Sequence, residues 1–284
     1  MITSRHNRRL KDIRRLRRSK DDRALLEGPH LVSEALAAGL ALEEVLVTPG
    51  FRAGLPEADA LLQALSALPE PPLEVADEIL DELGDADSPR GLLAVARLPR
   101  RGVEALPRRP DGVYLYLERI QDPGNLGAVA RAAEAAGAAG LALSPETAHP
   151  NHPRALRGSA GSLLRLPVAV GVEPQALDRH LAAGAGKVGS RPRWTALVPR
   201  GGASLWSAPL GGTVVLAVGS EGQGLSEEVL GRADLGLTIP LAAPVESLNA
   251  AVAAALVLFE IRRRRTAAGD RAEPAGSGSV PGPG

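Results

Sequence analysis

Apolar residues recur along this chain at two spacings, about two and about three and a half, and segments of the two kinds alternate. Leu10, Ile13 and Leu16 stand three apart in a charged stretch behind Ser4, which predicts a capped helix over residues 5–18. Ala24–Glu27 predicts a short strand. Gly28-Pro29 opens a helix through Leu31, Val32, Ala35 and Leu36, ended by Gly39. Glu44–Thr48 reads as a strand, Leu61–Leu68 as a helix and Leu73–Ala76 as a strand. Asp77 is expected to cap a helix over Glu78–Leu83, and Leu92–Arg97 is the next strand. This alternation predicts a small α/β/α domain over residues 1–98. Residues 99–110, rich in proline and arginine, read as a linker.

A second α/β unit spans residues 111–265. Strands are expected at Val113–Leu117, Leu141–Leu143, Val168–Val170, Trp194–Val198, Val214–Val218 and Leu235–Ile239. The loop Glu118–Gly124 enters a helix ending at Gly137. Further helices are expected near Arg154–Ala160, over Pro174–Ala183, and from a start near Ser226. A long one runs over Ser247–Arg264, with Leu248, Val252, Ala255 and Phe259 on one face. That face suits either the protein's own core or a second copy. Residues 266–284, rich in Gly, Pro and Ser, read as a disordered tail.

Composition adds constraints. Hydrophobic residues make up 44% and aromatics only 2%, so the core is built from Ala, Leu and Val. The absence of cysteine excludes disulfides, thiolate zinc sites and cysteine nucleophiles. No run of 18 apolar residues exists and the basic start lacks an apolar core, so neither a membrane partner nor a secretory leader is expected, and the location is read as cytoplasmic. The 33 basic and 33 acidic residues cancel, which taken alone argues against a nucleic-acid partner.

The layout of the charge reverses that inference. Residues 1–20 hold nine basic side chains (Arg5, Arg8, Arg9, Lys11, Arg14, Arg15, Arg17, Arg18 and Lys20) against one acid, Asp12. A second run spans Arg262 to Arg265. Such arms meet phosphate backbones, although a solvated helix face is as simple a reading. No aromatic residue interleaves with the arm, so it is not expected to stack on bases.

Several motifs fail on context. Gly184-Ala185-Gly186-Lys187-Val188-Gly189 fits the dinucleotide pattern, but a helix precedes it where a strand is needed, so it reads as a loop. His149 and His152 are separated by Pro150 and followed by Pro153, which favours loop histidines over a metal pair, and no metal site is expected. Three other segments fit one another. Asp122–Gly127 leads from a strand into an Ala-rich helix, with Asn125 at its mouth and Arg131 further in. Val214–Leu225 is an apolar strand running into a loop with Gly219, Gly222 and Gly224. Ile239–Asn249 leads to the last helix with Ser247 and Asn249 as polar caps. All three lie at the C-terminal ends of expected parallel strands, where open α/β sheets bind ligands.

NLGAVARAAEAAG, VGSEGQGLS and IPLAAPVESLNAAVAAALVLFE resemble, in order and spacing, the three signature motifs of the SpoU/TrmH family. These are S-adenosylmethionine-dependent RNA ribose 2′-O-methyltransferases of the SPOUT class, and the resemblance covers roughly residues 110–265. Residues 1–98 resemble the N-terminal substrate-binding domain of rRNA-directed members through ITSRHNRRLKDI, LLEGPHLVSEAL and SPRGLLAVA.

The resemblance implies a small RNA-binding α/β/α domain followed by a SPOUT α/β domain tied in a deep trefoil knot. It implies S-adenosyl-L-methionine as cofactor, held by Gly219, Ser220, Glu221, Gly222, Gly224, Ile239, Leu241, Ser247 and Leu248. It makes Arg131 the catalytic arginine, with Asn125, Glu221, Ser247 and Asn249 orienting the reactants. It implies a homodimer through the last helix. It assigns the RNA contacts of the arm to Arg5, Arg8, Arg9, Arg14, Arg15, Arg17 and Arg18. The substrate it implies is rRNA, 23S rRNA first, in a housekeeping or an antibiotic-resistance role. A tRNA-directed enzyme and a catalytically silent RNA-binding or assembly factor of the same fold are the alternatives.

Overall fold

A computed structural model describes residues 7–16, 22–53, 56–84, 90–99, 101–183 and 191–269. Arg5, Arg17 and Arg18 of the basic arm, the Ser4 cap, the glycine motif at 184–189 and residues 270–284 lie outside the described residues.

The first unit is built from α1 (Arg8–Leu16), β1 (Arg23–Glu27), α2 (Gly28–Ala37), β2 (Ala41–Val47), α3 (Pro56–Ser66), β3 (Leu73–Glu74), α4 (Asp77–Leu83) and β4 (Leu92–Arg97). Its strands form a mixed sheet in the order β1-β4-β2-β3, with β4 antiparallel to both neighbours. Alternate residues serve opposite faces, as the pleat requires. Leu25, Leu46, Leu93 and Val95 meet Leu10, Ile13 and Leu16 of α1 and Ile79 and Leu80 of α4. Ala24, Leu26, Val45, Val47, Ala94 and Ala96 meet Leu31, Val32 and Ala35 of α2. One cap departs from expectation: α4 begins at Asp77 itself, and Ala76 occupies the capping position without a side-chain bond.

The second unit comprises β5 (Val113–Glu118), α5 (Pro123–Ala136), β6 (Gly140–Leu143), α6 (Pro153–Ser159), α7 (Ser162–Arg165), β7 (Val168–Val170), α8 (Pro174–Ala182), β8 (Arg193–Leu197), β9 (Ala203–Ser204), β10 (Val214–Gly219), α9 (Glu227–Arg232), β11 (Leu235–Thr238) and α10 (Ala250–Gly269). Its seven strands are all parallel, in the order β7-β6-β5-β10-β8-β11-β9. Both faces are covered. Tyr116 and Trp194, with ring centroids 5.3 Å apart, lead the cluster on one face. On the other, α5 and α10 pack together through Val129, Ala130, Ala133, Ala254, Val257 and Leu258.

The two units share a joint. Helix α6 lies against β1. Arg157 pairs with Glu27 at 3.3 Å, and the Asn151 side-chain amide donates to the Arg23 carbonyl at 3.4 Å. Arg165 reaches Glu34 of α2 and both carboxylate oxygens of Glu134 on α5. The linker is not free: Arg101 donates to the Leu163 carbonyl at 3.1 Å, and its own carbonyl accepts from Val170.

Helix α10 differs from expectation at both ends and on its faces. It starts at Ala250, because Asn249 is the cap: its Oδ1 accepts from the amides of Ala251 and Val252. It continues to Gly269, so residues 266–269 are helical and do not belong to a tail. Ala251, Ala254, Val257, Leu258 and Ile261 face inward, while Val252, Leu256 and Phe259 are 49%, 40% and 48% exposed. The expected stripe through Val252 and Phe259 is therefore an outward face and not a core face.

The arginine run at the end of α10 also changes meaning. Arg262 donates to the Ala135 carbonyl, Arg264 to the Leu205 and Ala208 carbonyls, and Arg265 to the Asp111 and Gly212 carbonyls. Arg263 and Arg264 both bind Glu260. The run fastens the helix to loop ends; three of its four guanidiniums are committed to backbone oxygens. Among the described residues no helix is long and apolar enough to cross a membrane.

Candidate functional site

The site is assembled where β5, β10 and β11 end. Parallel pairing places Gly219 of β10 beside Glu118 of β5, so the loops that follow emerge together. After β5, Asp122 caps α5 by accepting from the Asn125 amide at 2.8 Å, with Pro123 suited to the first helical position. Asn125 thus sits in the first turn of α5. Its Nδ2 donates to Glu221 Oε1 at 2.9 Å. Asn249 Nδ2 donates to Asn125 Oδ1 at 3.0 Å and to Glu221 Oε1 at 2.8 Å. Three segments separated by up to 124 residues meet in one hydrogen-bonded cluster.

Beside this cluster lies a cavity of about 660 Å³. Gly219, Ser220, Glu221, Gly222, Gly224, Ile239, Leu241, Ser247 and Leu248 all line it, as do Asn249 and the apolar side chains of Val198, Leu225 and Leu230. The loop turns back on itself: the Gly224 amide donates to the Ser220 carbonyl at 2.9 Å, and the Gln223 amide donates to Ser220 Oγ at 3.3 Å. Gly219 has to be glycine, since a Cβ there would collide with the backbone of Gly224 and Leu225. Gly224 takes a φ of +65°, which side chains resist. No atom lies within 4 Å of where a Cβ of Gly222 or Gly224 would stand, which leaves that part of the loop open. Such a pocket, part glycine-rich loop and part apolar wall, suits a small ligand with both apolar and polar parts.

Arg131 stands apart. It is exposed on α5, six residues beyond Asn125, about 9 Å along the axis. Among the described residues its guanidinium has no hydrogen bond or ion pair to Asn125, Glu221 or Asn249. Ser247 is exposed at the cavity rim.

Two neighbours carried no signal in the sequence. Glu118, the buried last residue of β5, accepts from the Ser226 amide at 2.7 Å, while Ser226 Oγ caps α9. Arg119 donates to the Gly224 carbonyl at 3.4 Å. A charged residue after an apolar strand looks like an ordinary strand end. The histidines at 149 and 152 are loop and cap groups: His149 accepts from the Asn151 amide, and His152 accepts from the Arg154 amide at the start of α6.

The arm is divided. Arg8, Arg9 and Arg15 are exposed, whereas Arg14 turns toward Glu82 of α4 at 3.0 Å.

Residues 112–259 match the model of the SpoU rRNA Methylase family. The chain belongs to that family. Residues 7–94 match the MRM3-like substrate binding domain. Among relatives of the SpoU chain, an uncharacterized tRNA/rRNA methyltransferase of Synechocystis sp. is 34% identical, covering 94% of this chain and 95% of that one. The 23S rRNA (guanosine(2553)-2′-O)-methyltransferase RlmP of Bacillus subtilis is 32% identical, covering 92% and 98%. Among solved structures, the SpoU methyltransferase AviRb from Streptomyces viridochromogenes in complex with AdoMet superposes with a TM-score of 0.82 at 27% identity, covering 92% and 99%. The α/β fold read from the sequence is that of SpoU methyltransferases.

Proposed function

We propose that the protein transfers the methyl group of S-adenosyl-L-methionine to a ribose 2′-hydroxyl of rRNA, with 23S rRNA the first substrate to test. The observation that carries this reading is the Asn125–Glu221–Asn249 cluster beside the glycine-walled cavity. Bound in that cavity, the donor supplies an electrophilic sulfonium methyl. Gly219 to Gly224 line it with backbone and Ile239, Leu241 and Leu248 with apolar surface. Glu221 Oε1 already takes two N–H donors, so this carboxylate orients amides and is poorly placed to remove a proton. The family resemblance assigns action on the hydroxyl to Arg131, which is exposed on α5. A guanidinium stays protonated, so its role is to hold the adjacent phosphate and stabilise the charge developing on the hydroxyl oxygen, whose proton passes to solvent water. Arg131→Ala should abolish methyl transfer and leave donor affinity nearly unchanged, as read by calorimetry beside a methylation assay. Equal loss of both would make Arg131 structural.

The same reading divides the chain into an RNA-binding unit over residues 1–98, a linker over 99–110 and a methyltransferase unit over 111–265. The exposed Val252, Leu256 and Phe259 support a homodimer through α10. The strand order β5-β10-β8-β11, with α10 returning onto α5, supports the threaded C-terminal path. The relatives' 23S rRNA 2′-O-methyltransferase activities support action on rRNA, which would place the protein with ribosomes in the cytoplasm. The 23S rRNA activity of the Bacillus subtilis relative, matched over 92% of this chain, favours rRNA over tRNA, and the complete cluster favours an enzyme over a silent assembly factor.

A further inference from the structure

We infer that Arg119 is a positioning residue that tethers the glycine loop lining the donor cavity; this rests on reading that cavity as the S-adenosylmethionine site. Arg119 has φ +56°, the left-handed region that glycine takes freely and arginine does not. The conformation is held from outside the residue. The Arg119 amide donates to Ser144 Oγ at 3.0 Å, Ser144 Oγ lies 3.0 Å from Thr147 Oγ1, and Thr147 Oγ1 donates to the Leu117 carbonyl at 2.9 Å. Strain fixed by its surroundings points to function in the side chain it aims.

That side chain is aimed at the loop. Nη2 donates to the Gly224 carbonyl at 3.4 Å, at the residue whose backbone lies against Gly219. Its Nε is shielded from water and has no hydrogen-bond partner, so a donor remains in reserve. The preceding residue braces the other end of the same segment, since Glu118 accepts from the Ser226 amide at 2.7 Å. Residues 118 and 119 therefore grip Gly224 and Ser226, on either side of Leu225. Glycine at 119 would relax the backbone but release the loop. Arginine there trades local strain for a tether.

Arg119→Gly separates these effects. We expect its melting temperature to equal or exceed the parent's, amide exchange of residues 222–225 to quicken severalfold in the ligand-free protein, and the KM for S-adenosylmethionine to rise about tenfold with kcat held at saturating donor. Arg119→Lys, which keeps a cation and a donor, should recover part of the KM. Parental exchange in Arg119→Gly would overturn the inference, and so would a fall in melting temperature with KM unchanged. Should the parent bind no S-adenosylmethionine, the donor reading fails by itself. The exchange measurement still decides whether Arg119 tethers the loop.

Discussion

At Gly219 the demand is steric. The Cβ of alanine would collide with the backbone of Gly224 and Leu225, which no side-chain rotation relieves. Gly219→Ala should therefore cost about 1–3 kcal/mol, as overpacking does, and weaken donor binding at the same time. Thermal melting and calorimetry check both; an unchanged donor affinity would show that the loop shifts without consequence. Asn249 is used twice, as the cap of α10 and as the donor to Asn125 and Glu221. Asn249→Ala should lose about 1 kcal/mol for the cap, and methyl transfer should fall further than stability explains. Asn249→Ser keeps a cap but not the cluster. It should recover the stability and not the activity, which a melt and a rate measured side by side will show.

On the scale of elements, α10 draws the three motifs together, and its far end is pinned by arginines. Hydrogen bonds from Arg263 and Arg264 hold the Glu260 carboxyl down to about 2, against the usual 4.5. A depressed folded value means that the stabilisation is present above the unfolded value and is lost as pH falls from about 4.5 toward 2. Acid should loosen the second half of α10 in that window, with faster amide exchange over residues 258–266. Glu260→Gln should remove the pH step. The outward face of the same helix makes a separate prediction. Leu256→Asp changes an exposed position, so monomer stability should move by no more than about 0.5 kcal/mol. Sedimentation should nevertheless show a halved mass if α10 is the contact between two copies, and an unaltered mass would remove that contact.

For the molecule as a whole, charge placement outweighs charge sum. The four arginines at 262–265 are spent on α10 and the loops around it, so of the two basic runs only the one in the first unit is free to attract a polyanion. There Arg8, Arg9 and Arg15 stand in solvent and Arg14 does not. Replacing the three exposed arginines by alanine should flatten the salt dependence of RNA binding by roughly 0.7 log units per lost phosphate contact. Arg14→Ala should leave the slope alone. Titration of a ribosomal RNA fragment at several salt concentrations reads both. The joint between units, from Glu34 through Arg165 to Glu134 on α5, ties the first unit to the helix that bears Arg131.

Much of this was legible in one dimension. The elements were, because periods of two and three and a half are local properties of Leu, Val and Ala placement. So were the three polar segments, since glycines and amides after apolar strands mark loops that approach a ligand. What one dimension lacked was direction. Whether Val252 and Phe259 face a core or solvent depends on which side α5 occupies. Whether arginines at 262–265 meet phosphate or carbonyl depends on loops that end beside them. That Arg119 reaches the Gly224 carbonyl, 105 residues on, follows from β5 and β10 being neighbours. Hydrogen bonds act over about 3 Å. Sequence settles which groups can make them, and only the folded chain brings the partners within range.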